Sequence, residues 1–259
     1  MNRTVTLDQF LSLWTAVGGD RFPFPLRYRT PAKWEDEHAA HMHAADDWCR
    51  AHRDIHLDRA IRLLHSGHIS VEMYGQHGDR DIRVRAACGD TLAMLAVQRD
   101  DRAIDLTTTS ADTLASAVLT EIPAATPGRE PSSSAPTRLL SEPTDFRSVR
   151  VGLVDDGPRA LRHLLTLERS GWGNIRVLVT DAVGRTTGIA DVGWIDVAGD
   201  GRYLLTTGTH TTASPASSST MQAELSRVLT NARRRRRGEV RLPGDGSAHT
   251  HADRRADFP

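Results

Sequence analysis

The chain has 259 residues, with 33 basic and 33 acidic side chains and a formal net charge of zero, so no global field draws it to nucleic acid or to an anionic membrane. Two cysteines, Cys49 and Cys88, do not make a disulfide framework and fit a reduced cytosol. The N-terminus lacks the basic-then-apolar layout of a leader, and no apolar run approaches the ~18–20 residues of a membrane helix, which together point to a cytoplasmic protein without membrane insertion.

Thr6-Leu7-Asp8-Gln9 fits a capping box, in which the Thr6 hydroxyl accepts from the Gln9 N–H and the Gln9 side chain reaches back. Leu7, Phe10, Leu11, Trp14 and Val17 then form one helical stripe, closed by Gly18-Gly19. Pro23, Pro25 and Pro31 keep the next stretch extended. A polar helix is predicted from Trp34 to Cys49, and another around Leu57, Ile61, Leu63 and Leu64. Ile69, Val71 and Met73 alternate with Ser70, Glu72 and Tyr74, the two-residue period of a strand. Further strands follow near Ile82–Cys88, Leu92–Val97 and Ala103–Thr108, and Ser110 is placed to cap a helix bearing Leu114, Ala117, Val118 and Ile122.

The segment from Pro123 to Pro136 reads as a linker by composition, with four prolines and three consecutive serines. Ala160, Leu161, Leu164, Leu165 and Leu167 mark a helix. Three antiparallel strands come next: Ile175 to Thr180, Thr186 to Ile195, and one entered by Tyr203-Leu204-Leu205, joined by the turns at Asp181–Gly184 and Gly199–Gly201. Gly208 to Ser219 reads as a mobile Ser/Thr-rich loop, and Met221, Leu225, Val228, Leu229 and Ala232 mark a last helix. The two halves share an order of helix, strands, helix, and residues 102–108 echo residues 201–207, a weak internal repeat. The division expected is therefore an N-terminal half over 1–123, a linker over 124–137, a C-terminal half over 138–237 and a disordered tail over 238–259.

Few patterns carry chemistry. His38 and His41 lie at i, i+3, and His52 and His56 at i, i+4, so either pair could share a helix face as a zinc pair does, and Asp46, Asp47 and Cys49 could complete a site, but the HExxH motif is absent. No phosphate loop, dinucleotide fingerprint, nucleophile elbow or Cys-x-x-Cys is present, and the chain is not expected to be an enzyme or to need a cofactor. The run from Arg233 to Arg237 follows a helix, where cations stabilise the C-terminal end; no aromatic stacking residues accompany it, so nucleic acid is not the expected partner, and an anionic surface is a third reading. Trp194 sits in mid-sheet and is an interface candidate.

Gly173-x-Ile175-x-Val177, Gly184-Arg185, Trp194-x-Asp196 and Gly201-Arg202-Tyr203-Leu204 resemble, in order and spacing, the C-terminal signature of the EspG family, the ESX (type VII) secretion-associated chaperones of actinobacteria. Phe22-Pro23-Phe24-Pro25-Leu26 and the helix from Thr6 to Trp14 are similar to that family's N-terminal features. The resemblance covers most of residues 4–234. It implies an α+β fold, with a central antiparallel β-sheet flanked by two helical bundles in two pseudo-symmetric halves. It also implies a cytosolic chaperone that binds PE–PPE heterodimers at the PPE tip and keeps them soluble for export. A monomer or weak homodimer is expected. The family's binding surface, carried over by position, falls on strands 175–181 and 185–197 and helix 220–232. Arg176, Leu178, Ile189, Trp194, Met221 and Leu225 are the contact residues expected there. The runner-up is a metal-binding regulatory protein using the His-rich segment 38–77.

Overall fold

The computed structural model describes residues 1–141, 156–181 and 183–238. The expected tail from residue 239 onward lies outside the described residues. The first half begins with strand β1 (Asn2–Thr6) and helices α1 (Leu7–Thr15), α2 (Glu35–His52) and α3 (Ile55–Ser66). The strands β2 (Ile69–His77), β3 (Arg80–Cys88), β4 (Leu92–Arg99) and β5 (Ala103–Ser110) follow as a meander, and α4 (Leu114–Leu119) ends the half. The second half runs through β6 (Ser133–Pro136), α5 (Thr137–Ser141), α6 (Asp156–Thr166), β7 (Arg169–Thr180), β8 (Thr186–Val197), β9 (Gly201–Thr207), β10 (His210–Pro215) and α7 (Ser218–Arg236).

The ten strands of the described residues form one sheet in the order β1-β5-β4-β3-β2-β7-β8-β9-β10-β6. In each half the first strand closes on the last, β1 on β5 and β6 on β10, and the halves meet where β2 pairs antiparallel with β7. The order therefore reads the same from either edge, as a pseudo-two-fold through the β2–β7 seam requires. Short turns between neighbours produce this meander, since antiparallel strands need no crossover.

Three cores follow from strand alternation. On one face Val71, Met73, Val84, Ile175, Val177, Val192 and Trp194 pack beneath α4 and α7. On the other face α1 and α3 cover β4 and β5 through Phe10, Trp14, Leu57, Ile61, Met94 and Leu106. Also on that face, Leu161 and Leu164 of α6 cover Ile195, Val197 and Tyr203. The capping box at Thr6 is formed: Gln9 N–H donates to Thr6 Oγ1 at 3.2 Å and Thr6 N–H to Gln9 Oε1 at 2.9 Å. At α4 the N-cap residue is Thr113 rather than Ser110, whose Oγ accepts from the Thr113 N–H.

Three short strands were not anticipated. The expected linker is docked: Arg202 N–H donates to Thr126 O at 2.7 Å, Gly128 N–H donates to Arg202 O at 2.9 Å, and residues 133–136 are β6. The expected mobile loop at 208–219 carries β10, which pairs with both β9 and β6. The third is β1. All three are four to six residues long and lie at or next to a sheet edge. Each buries only one or two side chains, such as Val5 or Ala135, so no apolar period marks them, and Pro136 is tolerated because an edge strand need not donate on both sides.

Candidate functional site

Strand alternation places Glu72, Tyr74 and Gln76 of β2 on the same face as Trp172, Asn174, Arg176 and Leu178 of β7. This face is opposite the α4–α7 core. The helices that cover it stand to either side, α1 and α3 over the outer strands of the first half and α6 over those of the second. Between them the central strands β3, β2, β7 and β8 present a partly open floor.

A row of alternating charge crosses this floor. Glu72 lies opposite Arg85 on β3 and Arg176 on β7, and Arg176 lies opposite Asp191 on β8. Arg85 Nη1 donates to Glu72 Oε1, and Arg176 Nε donates to Asp191 Oδ1 at 3.1 Å. Asn174 Nδ2 donates to the same Asp191 oxygen at 3.2 Å. Burial pushes the Glu72 carboxyl up from its ordinary range, against the pull of Arg85, and the same burial lowers the Arg85 guanidinium. The Asp191 hydrogen bond raises Arg176. The row is self-paired, so it fixes a polar pattern without a net field.

One end of the floor is aromatic. The Phe24 and Tyr74 ring centroids are 5.5 Å apart at 68°, and those of Tyr74 and Trp172 are 6.4 Å apart at 83°, both edge-to-face. With Pro25, Arg27, Asp81, Ile82 and Arg83 they line a cleft of about 420 Å³. Phe24 is 52 % and Trp172 41 % exposed.

The six expected contact residues do not share a surface. Arg176 and Leu178 stand on the open floor, opposite Ile175 and Val177, which are buried. Ile189 falls in a bulge, since Val177 pairs with Ala190 and Leu178 with Gly188, and it packs toward the α4–α7 core. Trp194 is 1 % exposed and lies in that core. Met221 and Leu225 are buried on the inner stripe of α7, across the sheet from Leu178. Trp194, Met221 and Leu225 therefore occupy core positions: Trp194 alternates onto the helix-covered face, and an amphipathic helix turns its apolar stripe to the sheet. Glu72, Tyr74, Arg85 and Phe24 also line or border this floor and were not singled out from the sequence. The even positions of β2 carry the signal for the first two, but only the β2–β7 register brings them beside Trp172 and Arg176.

Among the described residues no group of three or more His, Cys, Asp or Glu side chains is placed to hold a metal ion. Protein purified without an affinity tag should contain no stoichiometric zinc by elemental analysis. About one zinc per chain, lost in His52→Ala/His56→Ala, would instead establish a metal site. Among the described residues no helix is long and apolar enough to cross a membrane.

A sequence profile of the EspG family matches residues 6–227. Among solved structures the chain resembles the Mycobacterium tuberculosis type VII secretion system chaperone EspG5, solved in complex with a PE25–PPE41 dimer. The TM-score is 0.65 at 13% sequence identity, with 90% of this chain and 96% of that chain covered. At that identity the likeness is one of fold. No curated protein matches.

Proposed function

The chain belongs to the EspG family, and on that basis we propose that it is a chaperone of type VII (ESX) secretion that binds PE–PPE heterodimers at the PPE tip on its open sheet floor. It holds them soluble in the cytoplasm until export, and it performs no catalysis. The observation that carries this reading is the partly open centre of an otherwise covered sheet face, where Leu178, Arg176 and Trp172 stand between two helical walls. The solved EspG5 complex with a PE–PPE dimer supports the choice of partner. An aggregation-prone apolar tip needs a reversible cover, and a rigid sheet supplies one at little ordering cost. Interfaces of this kind bury ~1,200–2,000 Å² in total, an area that a floor four strands wide can share with its walls.

Co-expression with PE–PPE pairs from the same organism, followed by pull-down, tests the reading. The wild type should retain a pair. Leu178→Asp should weaken capture by about tenfold or more, because it sets an unpaired carboxylate in a desolvated contact. The variant should keep its circular dichroism and melting temperature, since Leu178 lies on the partly open face. A folded variant that captures at full strength moves the partner off this floor.

A further inference from the structure

We infer that the cleft of Phe24, Tyr74 and Trp172 is the anchor subsite of this floor, taking one bulky apolar side chain of the PE–PPE partner with a carboxylate beside it. The inference rests on the reading above and adds the place and chemistry of the strongest contact. It also moves that contact from the second half alone to the seam between the halves.

The charge row cannot supply the main attraction. Its members pair with one another, and a partner laid over Glu72 and Arg85 has to desolvate them further. The row therefore selects against an apolar group placed over it and sets the partner's register. Leu178 contributes a single aliphatic side chain. The cleft differs from both. It holds two of the six exposed large hydrophobic residues of the described chain, Phe24 and Trp172, side by side around the Tyr74 ring. The others are dispersed: Trp34 precedes α2, Ile55 opens α3, Val183 sits at the β7–β8 turn and Met1 begins the chain. Paired edge-to-face rings are fixed by each other, so a side chain entering between them loses water without first ordering the wall.

The charge on the rim sets the neighbour of that side chain. Arg83 is tied to Asp81, whereas the exposed Arg27 side chain has no partner among the described residues. Its backbone is held instead, by Arg27 N–H donating to Gln98 Oε1 at 2.8 Å and by Gln98 Nε2 donating to Arg27 O at 2.9 Å. The guanidinium is therefore free on an anchored stem. It is the uncompensated charge of the cleft, and a carboxylate is the group that complements it.

The test measures the dissociation constant of the PE–PPE pair identified by pull-down, using the full chain in calorimetry. Trp172→Ala and Phe24→Ala should each weaken binding by about tenfold or more, the effect of removing an aromatic hot spot, with melting temperatures near wild type because both rings are exposed. Arg27→Glu should weaken it too, and its difference from wild type should shrink at high salt. Benzoylphenylalanine placed at Phe24 should crosslink to the partner, while the same group at Trp34, outside the cleft, should not. If Leu178→Asp abolishes capture but Trp172→Ala and Phe24→Ala bind as wild type without a crosslink, the anchor is elsewhere and the chaperone reading stands. If the wild type captures no pair, both fall.

Discussion

Replacing Arg202 by Met should lower stability by about 3–5 kcal/mol, which for a chain of this size is roughly 6–20 °C in melting temperature. Arg202 and Asp196 face each other across β8 and β9. Nε reaches Asp196 Oδ1 at 2.7 Å, and Nη2 reaches Asp196 Oδ2 and Pro123 O, both at 2.8 Å. The two side chains are 3% and 4% exposed. The guanidinium thus serves a carboxylate and the carbonyl at the start of the crossing between the halves. Removing it strands a buried charge with, among the described residues, only His77 Nδ1 nearby, at 3.6 Å. Asp196→Leu/Arg202→Met should recover a large share of the loss, because two apolar groups leave no unpaired charge. A single variant within about 1 kcal/mol of wild type would show that the crossing is held by its backbone bonds alone.

Gly173→Val should cost at least about 1–3 kcal/mol by overpacking. Gly173 pairs with Trp194 on β8, and any Cβ at Gly173 would overlap the indole. Its other neighbour, Gly75 on β2, is closed in the same way: a Cβ there would lie 2.8 Å from Gly173 Cα and 3.0 Å from Trp194 Cζ2. The indole therefore lies across two glycines at the seam, a close approach that only residues without a side chain allow. Trp194→Ala alone should cost about 3–5 kcal/mol by leaving a cavity. In the double variant the valine enters the vacated space, so the two losses should fall short of additive by about 1 kcal/mol or more in a denaturant-melt cycle. Additive losses would mean that the glycine is required by something other than the ring.

These two sites explain which parts of the fold were legible. Gly173, Trp194, Asp196, Arg202 and Tyr203 carry the sequence signature, and every one of them is structural. Tyr203 is buried, with its hydroxyl donating to Asp200 and accepting from Glu130 N–H; burial, then the Asp200 contact, pushes its pKa up to about 12. A signature made of packing residues identifies the sheet and says little about the floor proposed to face a partner. The floor was half legible. Alternation along β7 put Arg176 and Leu178 opposite Ile175 and Val177, but the same period on β8 turns Trp194 inward. The helix stripe of Met221 and Leu225 likewise reads as well for a sheet as for a partner. Phe24 and Tyr74 are fifty residues apart in sequence, and Tyr74 meets Trp172 only through the β2–β7 pairing, which no local pattern encodes. The short edge strands stayed silent because Ser133, Ser134 and Thr212 gain their order from hydrogen bonds to neighbours rather than from apolar burial.

The seam also sets a schedule for synthesis. β2 has β3 beside it as soon as the first half emerges, but its other edge waits for β7. Roughly sixty residues separate the end of α4 from the end of β7, which at about 5–20 residues per second is on the order of 3–12 s of translation. For that interval nine residues of bare backbone edge, with Ile69, Val71 and Met73 along one side, lie open to any nascent chain on a neighbouring ribosome. The later half is then both partner and shield to the earlier one. A pause between Pro123 and Pro136 would lengthen the exposure, and fast passage through that crossing would shorten it.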